Sequence, residues 1–315
     1  MAPFVALKPA APITIASPPF RVADRLDCTT TRWGGATTFT GQLRPSTAIP
    51  LIVDMFIVAS EMDLMEVRLY ELSESVDWIL VGISPHTHRG DPQPNWYQHA
   101  KDHHHRFTKG MLEKILIVDV GKCAEHQQAK KNQVHAELSN LARKHPKRQH
   151  NHGDVFAHQL TQRDCLWKHG VKQLKQRLVR EHNSKKENVH TQVGMSSYTL
   201  PDNTVFLFTD VDEIPDRELV HHVKMCTLKK HALPAHLRMR INGHNFRVPC
   251  SDGTYRFTGA SEMAEWRTVR EDGGVVYRFR PPPGIKIKRR RKHTIHDAGV
   301  HLTWYGSMAF VDYKG

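Results

Sequence analysis

The sequence predicts an α/β fold with a mixed, mostly parallel sheet flanked by helices. Two observations carry that expectation. Short, wholly apolar runs of strand length recur, and segments with helical spacing separate them. The most distinctive polar sequence in the chain also follows one of these runs directly, where open α/β sheets place their ligands.

The elements follow in order. Residues 1–48 are rich in Pro, Thr, Ala and Gly without a sustained period, and read as an irregular leader, with order expected from Ile49. Residues 51–59 (LIVDMFIVA) form an apolar run suited to a buried strand. Ser60 with Asp63 three residues on is a capping-box pattern, and Met62, Met65, Leu69 and Leu72 then share one helical face. Residues 78–83 (WILVGI) and 115–120 (ILIVDV) supply the next two strands. Leu160, Leu166, Leu174 and Leu178 predict one long helix over roughly 154–181, preceded by a polar loop. Residues 205–209 (VFLFT) are a further buried strand, and 232–315 mix short β-like runs with turns.

Composition sets outer limits. The 315 residues carry 45 Lys and Arg against 32 Asp and Glu, a formal charge of +13 with 23 histidines neutral. Hydrophobic residues at 39% and charged residues at 24% suit a globular chain large enough for a substantial core. No apolar run reaches the ~18 residues of a membrane helix, so no membrane segment is expected within this chain. The basic cluster of Lys286, Lys288, Arg289, Arg290, Arg291 and Lys292 raises a nucleic-acid reading. No nucleic-acid-binding motif accompanies it, so a solvated surface or a rim for an anionic small ligand is the expectation. Cys28, Cys123, Cys165, Cys226 and Cys250 are odd in number and widely spread, which predicts neither a disulfide framework nor a zinc site. The trio His103, His104 and His105 lacks a ligand at i+4 and reads as loop.

Asp210, Asp212 and Glu213 place three carboxylates within four residues. Their mutual repulsion is a cost that a hard divalent ion such as Mn²⁺ or Mg²⁺ would remove. At the carboxyl end of a strand, an ion held there could in turn hold a diphosphate. The bland alternative is an acidic turn leading into Pro215.

The chain resembles glycosyltransferase family 17, the β-1,4-mannosyl-glycoprotein 4-β-N-acetylglucosaminyltransferase family. Asp210-Val211-Asp212-Glu213-Ile214-Pro215 after an apolar strand is similar to that family's signature. Glu61 to Arg68 (EMDLMEVR) resembles its E-x-D-L-L-E-I-R helix start, and Val76-Asp77-Trp78 its V-D-x-F-V-V strand. Ser84, Thr87, Gly90, Pro92 and Pro94 keep the spacing of its E-S-N-x-T-x-x-G-x-P-K-P stretch. Gln162-Arg163-Asp164 resembles its Q-R-D/N helix, and residues 298–304 (AGVHLTW) its A-G-W-H-x-S-W segment. Ile83, Gln93 and Val300 depart from the family's Glu, Lys or Arg, and Trp.

The resemblance covers about residues 50–315. It implies a GT-A-like catalytic domain over 49–315, cut short relative to the family at its C-terminus. It also implies an inverting, metal-dependent transfer of GlcNAc or a related sugar from a nucleotide-sugar donor, UDP-GlcNAc, to a mannose-containing N-glycan of a glycoprotein. The family setting is the Golgi lumen, with a membrane anchor outside this chain.

On this reading Asp210 and Asp212 hold the metal. Glu213 ligates through water, orients the donor, or simply pairs with an Arg. His301 completes the metal shell or contacts the diphosphate. Arg68 and Arg163 bind the diphosphate or pair within the domain. Glu61 and Asp63 meet the nucleotide base or serve only the helix N-terminus. Glu262, Glu265 and Asp297 are candidate bases, none of them singled out. Two rivals remain: a catalytically reduced family member that binds glycans or nucleotide sugars, and a basic nucleic-acid-binding protein.

Overall fold

The computed structural model describes residues 26–84, 94–95, 97–98, 102, 107–123, 152–184, 198–243, 261–269 and 293–303. The basic cluster at 286–292, the histidine trio, Thr87, Gly90, Pro92, Gln93 and Trp304 lie outside the described residues.

The elements run β1 (Phe39–Leu43), β2 (Ile52–Val58), α1 (Met62–Leu72), β3 (Trp78–Ile83), α2 (Lys109–Lys114), β4 (Ile115–Asp119) and α3 (His152–Ser184). They continue through β5 (Val205–Phe208), β6 (Glu213–Pro215), α4 (Arg217–Met225), β7 (Cys226–Leu228), β8 (Ala235–Leu237) and β9 (Arg240–Gly243). The last are β10 (Glu262–Glu265), α5 (Trp266–Val269), β11 (His293–Ile295) and β12 (Gly299–Thr303).

The four apolar runs become β2, β3, β4 and β5, within a residue or two of their expected ends. They lie side by side and parallel in a seven-stranded sheet of order β11-β8-β10-β5-β2-β3-β4. β10 alone runs against its neighbours, antiparallel to both β5 and β8, while β11 is parallel to β8. The expected mixed, mostly parallel sheet is therefore what forms. Strands apolar on both faces must be covered on both faces. On one side Ile52, Phe56, Ile79, Val81 and Leu207 meet Met65, Leu69 and Leu72 of α1 and Leu219, Val220 and Val223 of α4. On the other, Val53, Leu80, Phe206 and Phe208 meet Leu166, Trp167 and Leu174 of α3.

The helix starts differ in detail from expectation. α1 begins without the predicted Ser60 box: Glu61 is its N-cap, and no side chain caps the helix. Asp216 caps α4, accepting from the amides of Glu218 and Leu219 at 2.8 and 3.2 Å.

Two expectations are corrected. The expected irregular leader holds regular structure, a 3-10 turn at Arg32–Thr37 followed by β1. Cys28, Trp33 and Phe39 are buried in the α1-side core, and β1 pairs antiparallel with β7. Trp33 Nε1 donates to the Asp297 carbonyl at 3.1 Å, and Arg32 reaches Asp216 and Glu218 on the surface. A threonine- and glycine-rich strap without periodicity packs through single anchors, which a periodicity reading passes over. The cysteines are also not free as expected. Cys28 bonds Cys226 across 198 residues, and Cys165 of α3 is likewise disulfide-bonded.

A cross-link over so long a loop restricts the unfolded chain strongly. Replacing Cys28 and Cys226 by Ser should cost roughly 2–5 kcal/mol. The test is a denaturant titration of the double variant beside the wild type. An unchanged midpoint would show that the strap is held by its side-chain contacts alone.

Candidate functional site

The carboxyl ends of the central strands build the site. β3 and β4 lie to one side of β2, and β5 lies to the other, so the strand order reverses between β2 and β5. Such a reversal opens a crevice above the sheet where ligands bind. Residues 59–61 leave β2 on one side of this point, and residues 209–213 leave β5 on the other.

Arg68 holds that junction together. It stands on α1, is fully buried, and sits with its guanidinium carbon 4.5 Å from the Phe56 ring. Nε and Nη2 form a bidentate pair with Asp54, at 2.8 and 2.6 Å. Nη1 donates to the carbonyls of Asp210 and Glu213, both at 2.8 Å. Nη2 also donates to the Thr209 hydroxyl. All five N–H groups are thereby used, in the fork geometry only Arg offers. The diphosphate role considered for Arg68 is corrected: the side chain positions the acidic loop and has no donor left for a ligand.

The loop is closed from within by Glu213. Its Oε2 accepts from the Asp210 amide at 2.9 Å and from Ser261 Oγ at 2.7 Å, and the residue is buried. Its role here is to clamp the loop. The backbone is held from above by β12, which pairs antiparallel with β6 and sets His301 opposite Glu213. The Leu302 amide donates to the Asp212 carbonyl at 2.8 Å. Gly299 makes that approach possible, since a Cβ there would lie 2.2 Å from the Ile214 carbonyl oxygen.

Two carboxylates remain at the surface of the loop. Asp210 (side chain 30% exposed) pairs with Arg163, which reaches it from α3. Next to it, Gln162 donates to Ser84 Oγ at 2.6 Å, so this stretch of α3 ties the ends of β3 and β5 together. Asp212 (22% exposed) faces His301 (16% exposed), with Oδ2 and Nε2 3.4 Å apart. Burial, the largest single influence, opposes a charge on His301. The hydrogen bond and charge of Asp212, with the charges of Glu213 and Asp210, outweigh it and raise the imidazole above its ordinary value. His301 Nδ1 is buried without a hydrogen-bond partner.

The mutual repulsion expected within this loop is therefore relieved by protein groups. Arg163, His301 and the amide of Asp210 already answer its charges. The atoms that could hold a divalent ion are Oδ2 of Asp212 and Nε2 of His301. Among the described residues, no group of three or more His, Cys, Asp or Glu is arranged to hold one.

The other expected residues are placed as follows. Glu61 is buried at the end of β2, where its Oε2 accepts from the Ala59 and Ser60 amides, both at 3.0 Å. Asp63 is exposed on the first turn of α1. Among the candidate bases, Glu262 is buried on β10 beside His236, at 3.2 Å, and Glu265 pairs with Arg267 at 2.5 Å. Asp297 lies in the turn before β12 with φ +51. Sequence reasoning missed Asp54, Thr209, Ser261 and Gly299. Asp54 did carry a signal, because a lone acid inside LIVDMFIVA must find a buried partner.

Two outcomes are expected. Arg68→Met should destabilise the fold by about 3–5 kcal/mol, because Asp54 is left charged and buried. Equilibrium denaturation checks this, and a loss under ~1 kcal/mol would contradict the organising role of Arg68. The raised imidazole gives the second. Its folded value exceeds its unfolded one, so the His301–Asp212 pair contributes fully below about pH 6.5. That contribution is lost as pH rises through the folded value. The stability gap between wild type and His301→Gln should therefore shrink on going from pH 6 to pH 8; a gap that widens would reverse the assigned sign.

The chain matches no protein-family model, no curated protein and no solved structure.

Proposed function

We propose that this chain is a glycosyltransferase that moves GlcNAc or a related sugar from a nucleotide-sugar donor to a glycan, inverting the anomeric centre. The observation that carries the reading is the position of the acidic loop. It stands at the carboxyl end of β5, beside the end of β2, where the strand order reverses. The segments resembling family 17 also meet there: Glu61 and Arg68, Ser84, Gln162 and Arg163, residues 210–213, and His301. A GT-A-like organisation of the sheet is part of the same proposal.

In this reading Asp212 and His301 would hold a divalent cation, Mn²⁺ or Mg²⁺. The ion supplies charge neutralisation for the leaving diphosphate. Arg68 and Glu213 fix the loop so that Asp212 does not have to be ordered when donor binds. Glu61 shapes the β2 side of the crevice, and Asp63 stands at its rim on α1. Arg163 holds Asp210. The disulfides point to an oxidising compartment, which fits a lumenal enzyme.

One observation favours a second reading. The Asp210 carboxylate is already occupied by Arg163, so the loop offers fewer oxygens to an ion than its sequence suggests. A family member that binds nucleotide sugars or glycans without turnover would tolerate that arrangement.

A donor screen separates the two. Purified protein with Mn²⁺ and a set of nucleotide sugars should release nucleoside diphosphate, and Asp212→Ala should lose roughly 100-fold or more in kcat/KM. Nucleotide-sugar binding without turnover would support the second reading. Neither binding nor turnover with any donor would rule out both.

A further inference from the structure

The outer side of α3 takes no part in the site, yet it is strongly basic. Between Lys168 and Arg180 the helix carries Lys168, Lys172, Lys175, Arg177 and Arg180, and no acid. Lys168, Lys172, Arg177 and Arg180 are exposed, while Leu166, Leu174 and Val171 on the opposite side are buried against the sheet. Lys168, Lys172 and Arg180 follow one another at i, i+4 and i+12, so they form a single slanting ridge. At 1.5 Å per residue that ridge extends roughly 18 Å. Among the described residues, acids lie beside two of the five cations: Asp164 is 3.4 Å from Lys168, and Glu181 is 2.8 Å from Arg177. Lys175 is steered over the Trp266 ring at 5.0 Å, and Arg177 stands 5.9 Å from that of Trp78.

Like charges along a helix repel one another, and an anionic partner would relieve that repulsion. An elongated, slanting ridge fits an extended polyanion better than a compact anion. Three polyanions are common. Nucleic acids belong to reducing compartments, whereas this chain holds Cys28–Cys226 and a disulfide at Cys165, the latter on α3 itself. Anionic phospholipids concentrate on the cytoplasmic leaflet, on the other side of a membrane from an oxidising lumen. Sulfated polysaccharide is the polyanion of oxidising and extracellular spaces.

We propose that the exposed ridge of α3 is a docking surface for a sulfated polysaccharide. The surface is separate from the acidic crevice, and the proposal stands whether or not the chain transfers sugar.

Heparin serves as the probe. The full chain should bind immobilised heparin at physiological ionic strength, and free-heparin titrations should show a steep salt dependence. The triple variant Lys168→Glu, Lys172→Glu, Arg180→Glu changes only exposed side chains, and circular dichroism with thermal melting checks that it stays folded. It should elute at clearly lower salt, and its log–log salt slope should fall by about 2, at ~0.7 per cation lost from contact with a flexible polyanion. An unchanged elution point and slope would overturn the proposal, since the binding would then lie elsewhere on the chain. Tighter binding to single-stranded DNA of equal charge than to heparin, abolished by the same variant, would overturn it in favour of a nucleic-acid partner. Should the triple variant unfold, Lys172→Glu alone supplies the test, with a slope change of about 0.7.

Discussion

The rest of the site depends on one buried ion pair. Arg68 and Asp54 meet beneath the sheet's carboxyl edge, where neither charge reaches water. Such a pair rarely adds stability over apolar residues of the same size, because both ions must be desolvated. What it offers here is geometry. Asp54 takes two of the five N–H groups, and the other three go to Asp210, Glu213 and Thr209. The carbonyl of Asp210, which also accepts from the Glu213 amide at 3.0 Å, and that of Glu213 are thereby tied to one point. One guanidinium thus couples the centre of β2, the first helix and the loop after β5.

That anchor explains how the loop tolerates its charge. Glu213 turns inward, where the Asp210 amide and the Ser261 hydroxyl donate to its carboxylate. Asp210 is met by Arg163 and Asp212 by His301. Each carboxylate has a different partner from a different element: the loop's own backbone with Ser261, then α3, then β12. The strap at 26–43 extends the same logic outward, since Trp33 holds the turn before Gly299, and Gly299 lets β12 close on β6. A change at the strap can therefore reach His301 through backbone alone.

Much of this was legible in the sequence, and the reasons differ by element. The four strands of the parallel core are apolar on both faces, so their runs are unbroken and easy to place. The long helix declared itself by Leu166, Leu174 and Leu178. The acidic loop stood out because three carboxylates seldom crowd the end of a buried strand. The strap did not, because Trp33, Phe39 and Cys28 are spaced by turns with no period. The disulfide was hidden for a related reason: its two cysteines are distant in sequence and become neighbours only when β1 pairs with β7. Arg68 and Glu213 each stood between a ligand-binding and a structural role in the sequence, and their burial among protein partners gives the structural one. Asp54 was the overlooked clue, since its charge inside an apolar strand required a partner such as Arg68.

The central claim is that the crevice between the ends of β2 and β5 is where an anionic nucleotide ligand binds. Hydrogen-exchange mass spectrometry with and without UDP and Mn²⁺ tests it directly. The account predicts added protection in peptides covering residues 59–63, 209–213 and 299–303, and little change in β4 or the outer ridge of α3. Protection confined to other segments, or none at saturating ligand, would contradict it.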